Sequence, residues 1–221
     1  MGDFRNLKVD AVLCISTTER ADRREHLREQ FQDSGLKIEY VLVERDYEDG
    51  QRGCFLSHQL CANIALERGY NNVLIIEDDI TLEYTSLSRI KKINKFLTDK
   101  KPDIFYLGAT LGKIWLTWDL GIARIRSQGA FAYILSKESC RKVAALNYEG
   151  RGIDNYYSKI FKGYSVFPFM IGHQVEEVLP SNIRATRGEF YYSSLDRKRN
   201  NIKQYASALK NIPKTIFRID F

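Results

Sequence analysis

Asn71-Asn72-Val73-Leu74-Ile75-Ile76-Glu77-Asp78-Asp79 is the stretch whose reading decides the fold. A short apolar, β-branched run bounded by asparagines and carboxylates predicts a strand buried on both faces. Its C-terminal end delivers three adjacent carboxylates. Such groups repel one another and lose hydration when packed, so they persist best where a divalent cation neutralises them. In extended backbone Glu77 and Asp79 point one way and Asp78 the other. The competing reading is helix capping by acidic residues after a strand, but three in a row exceed what a cap needs.

Outward from this strand the chain alternates. Residues 9–16 are apolar and β-rich and predict a first strand. Ser16-Thr17-Thr18-Glu19 has capping-box spacing, and residues 20–35 predict a helix with Leu27 and Phe31 on one face. A second strand is expected at 38–43, a polar turn at 46–53, and a second helix at 56–68 carrying Leu56, Leu60 and Ile64. Further on, residues 90–97 read as a basic amphipathic helix. Residues 103–107, 114–118, 122–125, 130–135 and 165–169 read as strands, and 136–146 and 155–161 as helices. The alternation predicts an α/β fold, a mainly parallel central sheet with helices on both faces. No repeat or low-complexity linker divides the chain, so a single domain is expected over 1–221, with a basic C-terminal extension from about 193 to 221.

At 44% hydrophobic and 12% aromatic, the 221 residues can bury a substantial core. A net charge of +6 favours phosphate-bearing ligands, an anionic membrane surface or nucleic acid without choosing among them. Nucleic-acid binding is disfavoured, because the cations are dispersed, no recognition motif occurs and the acidic triplet repels phosphates. The cysteines, at 14, 54, 61 and 140, form no Cys-x-x-Cys pair and read as small buried hydrophobes in a reducing compartment. The first residues lack the apolar core of a signal peptide, and no run is long enough to span a bilayer. A cytoplasmic location is therefore expected. The basic tail is either a solvated helix or a peripheral contact with an anionic surface at the inner membrane face.

Gly53-Cys54-Phe55-Leu56-Ser57-His58, then Glu77-Asp78-Asp79, Ala132-Tyr133-Ile134-Leu135-Ser136 and Ile153-Asp154 together resemble glycosyltransferase family 25. That group includes bacterial lipopolysaccharide and lipooligosaccharide β-galactosyltransferases and is related to collagen galactosyltransferases. The resemblance extends over residues 9–183. It implies a GT-A-type, Rossmann-like nucleotide-sugar-binding fold and transfer of a hexose, usually galactose, from a UDP-sugar donor to a saccharide or glycoconjugate acceptor. It also implies a role in glycan or lipopolysaccharide-type biosynthesis and dependence on a divalent metal, Mn²⁺ first and Mg²⁺ second. Asp79 and Glu77 would then be metal ligands, Asp78 a ribose or donor-sugar contact, and Asp154 the base of an inverting transfer. The family's first strand usually ends Ile-Asn-Leu-Asp; here Cys14-Ile15-Ser16 stands in its place, with Asp22-Arg23-Arg24 after a longer turn.

Each remaining candidate carries two readings. Asp154 is the base or the N-cap of the helix it precedes. Ser57 and His58 are expected on the nucleotide side of the site, Ser57 as a hydrogen bonder near a helix start rather than a nucleophile, and His58 as a nucleotide contact or a structural histidine. His173 is a third metal or diphosphate ligand or a structural histidine. Arg23 and Arg24 offer a phosphate contact or a solvated face, with room for only one of them to point inward. Trp115 and Trp118 are an acceptor platform or core. The leading expectation is a metal-dependent inverting glycosyltransferase; the alternative is a catalytically silent relative that binds glycans or assembles with other proteins.

Overall fold

The computed structural model describes residues 4–175 and 193–217. The end of the family resemblance, at 176–183, and the last residues of the tail, 218–221, lie outside them. Strand β1 (Ala11–Thr17), helix α1 (Ala21–Phe31), strand β2 (Ile38–Val43), helix α2 (Gly50–Glu67) and strand β3 (Asn72–Glu77) open the fold. The three strands are parallel and lie in the order β2-β1-β3. The chain thus steps outward from β1 and then returns across it, a reversal that opens a crevice beyond the carboxyl ends of β1 and β3.

The remaining elements are β4 (Ile80–Leu82), α3 (Leu87–Lys100), β5 (Ile104–Gly108), β6 (Leu111–Leu116), β7 (Ile122–Gln128), β8 (Ala132–Ser136), α4 (Lys137–Ala144), α5 (Ile153–Ile160), β9 (Gly163–Val166), β10 (Ile171–His173), α6 (Ser194–Lys210) and α7 (Ile212–Ile216). Eight strands join in the order β2-β1-β3-β8-β5-β9-β7-β6. Six run one way, and β7 and β8 run against them. The expected α/β, Rossmann-like arrangement is present.

Both faces of this sheet are buried, which is why its central strands lack polar alternation. Val73 and Ile75 of β3 join one core with Phe55 and Ala62 of α2, Val143 of α4 and Tyr157 of α5. Leu74 and Ile76 turn to a second core with Leu27 of α1 and Ile90 and Ile93 of α3. Each fully buried aliphatic side chain contributes roughly 1.5–3 kcal/mol from apolar burial alone. No helix of the described residues is long and apolar enough to cross a membrane.

Among the boundaries that differ from the sequence reading, two bear on its motifs. Helix α1 starts at Ala21 behind Arg20, with no side-chain cap, so the Ser16-to-Glu19 spacing is not a capping box. Helix α2 begins at Gly50, inside the expected turn, because Asp49 caps it by accepting from the backbone amides of Gln51 and Arg52. Gly53 then lies within the helix, where any Cβ would stand 2.8 Å from that of Asp46.

The tail is a packed element rather than a solvated one. Helix α6 lies against edge strand β6 and buries Gln204 and Ala208. Its side chains, with those of the residues after it, bond several of the backbone groups that a free edge would expose. Ser207 Oγ accepts from the Ile114 amide at 3.0 Å, while Asn211 Nδ2 donates to the Ile114 carbonyl at 2.9 Å. Gln204 donates to the carbonyl of Thr110, and Thr215 of α7 to that of Leu116. Replacing Ser207 and Asn211 together with alanine is expected to cost about 1–3 kcal/mol. Thermal unfolding should show this as a drop of about 2–4 °C per kcal/mol, and an unchanged midpoint would mean that this edge needs no cap.

Candidate active site

Strand β3 ends at Glu77, and the chain turns at Asp78-Asp79 before entering β4. The expected alternation therefore stops at the turn: both aspartates reach the same partner, Arg23. Strand β4 pairs antiparallel with β10, setting His173 opposite Ile80. The Gln174 amide also donates to the Asp79 carbonyl at 2.7 Å. This two-stranded ribbon brings His173 Nε2 to 3.3 Å from Asp79 Oδ1. Ligand atoms of Glu77, Asp79 and His173 all lie within 4.8 Å of one another. The three residues expected to hold a metal thus converge, although their sequence positions span almost a hundred residues.

Close backbone approach makes the convergence feasible. A Cβ on Gly108 would stand 2.3 Å from the Ile171 carbonyl oxygen, so only glycine lets β10 lie this near the end of β5. The Met170 amide donates to the Leu107 carbonyl at 2.9 Å and locks the approach.

Buried carboxylates need compensation, and Arg23 supplies part of it. It is 6% exposed, and its Nη1 sits 3.0 Å from Asp78 Oδ1 and 2.8 Å from Asp79 Oδ2. Arg23, expected as a phosphate contact, thus has its Nη1 shared between the two aspartates. Arg24 also points inward, with Nη1 donating to Ser16 Oγ at 2.9 Å and to the Thr17 carbonyl at 2.6 Å. Burial alone would raise the pKa of Asp79, but His173 and Arg23 outweigh it and hold the carboxyl below the usual range. Burial and the charge of Asp79 push Asp78 upward, against Arg23. Adjacent carboxylates with pKa values driven apart are characteristic of sites that use them differently.

On the other side of Glu77, His58 is 1% exposed. Its Nδ1 lies 2.6 Å from Tyr133 Oη, which in turn lies 3.0 Å from Tyr157 Oη. Its Nε2 lies 3.4 Å from Glu77 Oε1. Ser57 donates to the Gly53 carbonyl one turn back at 2.7 Å. Both residues, expected as nucleotide contacts, are buried within α2, and His58 lies behind Glu77. Cys54, one turn before His58, completes a second cluster with His58 and Glu77. All four cysteines are free.

Asp154 is not a helix cap: Gly152 occupies that position, and Asp154 lies in the first turn of α5. Its Oδ2 accepts from the Gly129 amide at 2.8 Å. Gly129 has φ +72°, and a Cβ there would meet Thr110 Oγ1 at 2.3 Å. Two residues on, the Phe131 carbonyl accepts from the Glu77 amide at 2.9 Å. Residues 129–131 therefore tie Asp154 to the acidic end of β3. A cleft beside His173 is lined by Tyr84, Phe131, Phe169 and Tyr205 together with Thr110 and Asn201. Neither tryptophan lines it; Trp115 is buried and Trp118 is exposed elsewhere.

Some of these arrangements carry little sequence signal. Arg23 and Arg24 both turn inward, where room for only one was expected. Cys54 and His58 have the i, i+4 spacing of one helix face, a signal hidden by placing the helix start too late. The Tyr133–Tyr157 relay carries no local signal.

Residues 42–165, more than half of the chain, match the sequence profile of glycosyltransferase family 25, described as LPS biosynthesis protein. A "Glycosyltransferase 25 family member" from Drosophila melanogaster is 27% identical over 130 residues, covering 46% of this chain. The chain spans only 21% of that relative's length. Among solved structures, A197 from STIV aligns with a TM-score of 0.49 and 12% identity over 73% of this chain and 83% of its own. A glycosyltransferase involved in glycosylation of the major capsid of PBCV-1 aligns with a TM-score of 0.43 and 11% identity, over 74% and 94% respectively. The chain belongs to glycosyltransferase family 25.

The histidines give the site a pH signature. Burial disfavours a charged His173, yet Asp79 outweighs it and raises the pKa from 6.5 to about 9. For His58, Cys54 and Glu77 overcome burial and raise it to about 10. Folded-state values above the unfolded one contribute stability that is fully present below pH 6.5 and lost as pH rises through about 9 to 10. Denaturation midpoints measured with a chelator present should fall across that window, and His173→Gln should flatten the fall. A slope identical in wild type and variant would remove the charged His173–Asp79 pair.

Proposed function

We propose that the chain is a metal-dependent inverting glycosyltransferase that moves a hexose, galactose first among candidates, from a UDP-sugar to a saccharide acceptor. The observation that carries this reading is the convergence of Glu77, Asp79 and His173 beside the crevice between β1 and β3, in a member of family 25. Two carboxylates and one imidazole suit Mn²⁺ or Mg²⁺. Asp79 Oδ1 supports the fit, since it is buried and accepts no hydrogen bond of standard geometry among the described residues, facing His173 Nε2 alone. When bound, such an ion would offset the negative charge of the departing UDP.

The protein's own groups supply the rest. Asp79 is kept ionised by Arg23 and His173, ready to act as a ligand. Asp78, fixed by Arg23, is placed for a ribose or donor-sugar hydroxyl. Glu77 is backed by His58, whose ring is oriented through Nδ1 by Tyr133. Asp154 takes the proton from the acceptor hydroxyl as its oxygen bonds to the anomeric carbon and the bond to UDP breaks. Gly129 donates to one Asp154 oxygen and leaves the other for that task. The aromatic cleft beside His173 gives sugar faces a surface on which to stack. A cytoplasmic setting, with a glycan or lipopolysaccharide-type acceptor, accords with this chemistry.

A thermal-shift screen of UDP-sugars with and without Mn²⁺ identifies the donor, because a ligand specific to the folded state raises its stability. Asp79→Asn should abolish the Mn²⁺-dependent shift. Asp154→Asn should keep the shift while transfer falls about 10²–10⁴-fold. Unchanged turnover in Asp154→Asn would exclude it as the base, and donor binding with no turnover at all would favour the silent-relative reading.

A further inference from the structure

Helix α6 borders two different hollows. Asn201, Gln204 and Tyr205 face the cleft beside His173, whereas Lys203, Ser207 and Lys210 face a separate groove of about 570 Å³. The two share no lining residue. Lys113 from β6, Arg126 from β7, Lys203 and Lys210 from α6 and Lys214 from α7 all line the groove, with Trp115 among them. None of the residues lining it is acidic.

This concentration of charge works against folding. Lys113 and Arg126 are directly opposite partners in the antiparallel β6–β7 pair, a placement in which like charges destabilise a sheet. Several exposed cations elsewhere are paired, as Arg52 is with Asp46, Arg68 with Glu39 and Arg141 with Glu138. Lys113, Arg126 and Lys210 make no ion pair among the described residues. Five cations drawn from four elements around one concavity match a ligand with several negative charges better than a single carboxylate. Lysines act on such a ligand as point charges, and Arg126 adds a fork that fits phosphate oxygens.

We propose that this groove is an anion site for phosphate groups, of the kind presented by a diphosphate or by anionic lipid headgroups. It shares no lining residue with the cleft beside His173 and needs no metal, so it can be tested apart from the transferase reading. Chelator-treated protein would be titrated with inorganic pyrophosphate by calorimetry. In a parallel arm it would be co-sedimented with phosphatidylcholine vesicles with and without phosphatidylglycerol.

The test variant combines Lys113→Gln, Arg126→Gln and Lys210→Gln, all at exposed positions. The control combines Lys91→Gln, Lys100→Gln and Lys159→Gln, which removes equal charge from exposed positions elsewhere. The groove variant should bind roughly tenfold or more weakly than wild type, and the control should bind nearly as wild type. Without anion the groove variant should unfold no lower than wild type, because a like-charge pair has been relieved. Loss confined to pyrophosphate identifies a free phosphate ligand, and loss confined to anionic vesicles identifies a lipid headgroup. Equal weakening in both variants, or no binding by wild type in either arm, would overturn the proposal.

Discussion

Burying Asp78 and Asp79 beside Glu77 at one strand end is the constraint on which the rest of this site depends. Uncompensated, such a cluster would neutralise by protonation or force the turn open. Arg23 spans both aspartates, and His173 meets Asp79 from the opposite side. Removing one partner of a buried pair typically costs about 3–5 kcal/mol, because the other charge is left behind. The compensation is therefore as much a folding requirement as a functional one. A divalent ion held by Glu77, Asp79 and His173 would require His173 to give up its proton, so binding would exchange one kind of positive charge for another.

Both compensating residues come from outside the stretch that matches the family profile. That stretch, residues 42–165, contains Cys54, His58, the acidic triplet and Asp154, but neither Arg23 nor His173. Arg23 arrives on α1, set by the first β-α-β unit, and His173 on β10, paired to the strand that leaves the triplet. The acidic motif is thus local in sequence, while its electrostatic balance is not. Gly108 illustrates the cost of assembling it: a methyl group there would press on the Ile171 carbonyl and shift the strand that carries His173.

Much of the fold was legible because burial on both faces leaves a simple mark. The apolar run before Glu77 announced β3, and Ser136 announced α4, whose Ser139 amide it accepts. What failed to show was non-local or brief. Strands β4 and β10 are three residues each, too short for any periodicity, and pair only with each other. The start of α2 was obscured because Asp46 and Asp49, which look like turn residues, form the cap and its brace. The Glu77, Asp79 and His173 grouping was anticipated through family resemblance, whereas the Arg23 pairing with the aspartates was not. A guanidinium beside a presumed nucleotide strand suggests phosphate, and sequence alone does not reveal that two carboxylates also reach it.

Helix α6 brings these threads together. Its side chains cap part of the edge of β6, the last strand of the sheet. Having been fixed there for structural reasons, it has two further faces to offer. One, with Asn201 and Tyr205, walls the cleft beside His173, and the other, with Lys203 and Lys210, walls the basic groove. A helix merely solvated at the end of the chain would need neither the buried Gln204 nor lysines set against Lys113 and Arg126. The edge cap explains why the helix is held in place; it does not explain why the outward face concentrates charge of one sign. That excess is the feature that a bound anion would balance.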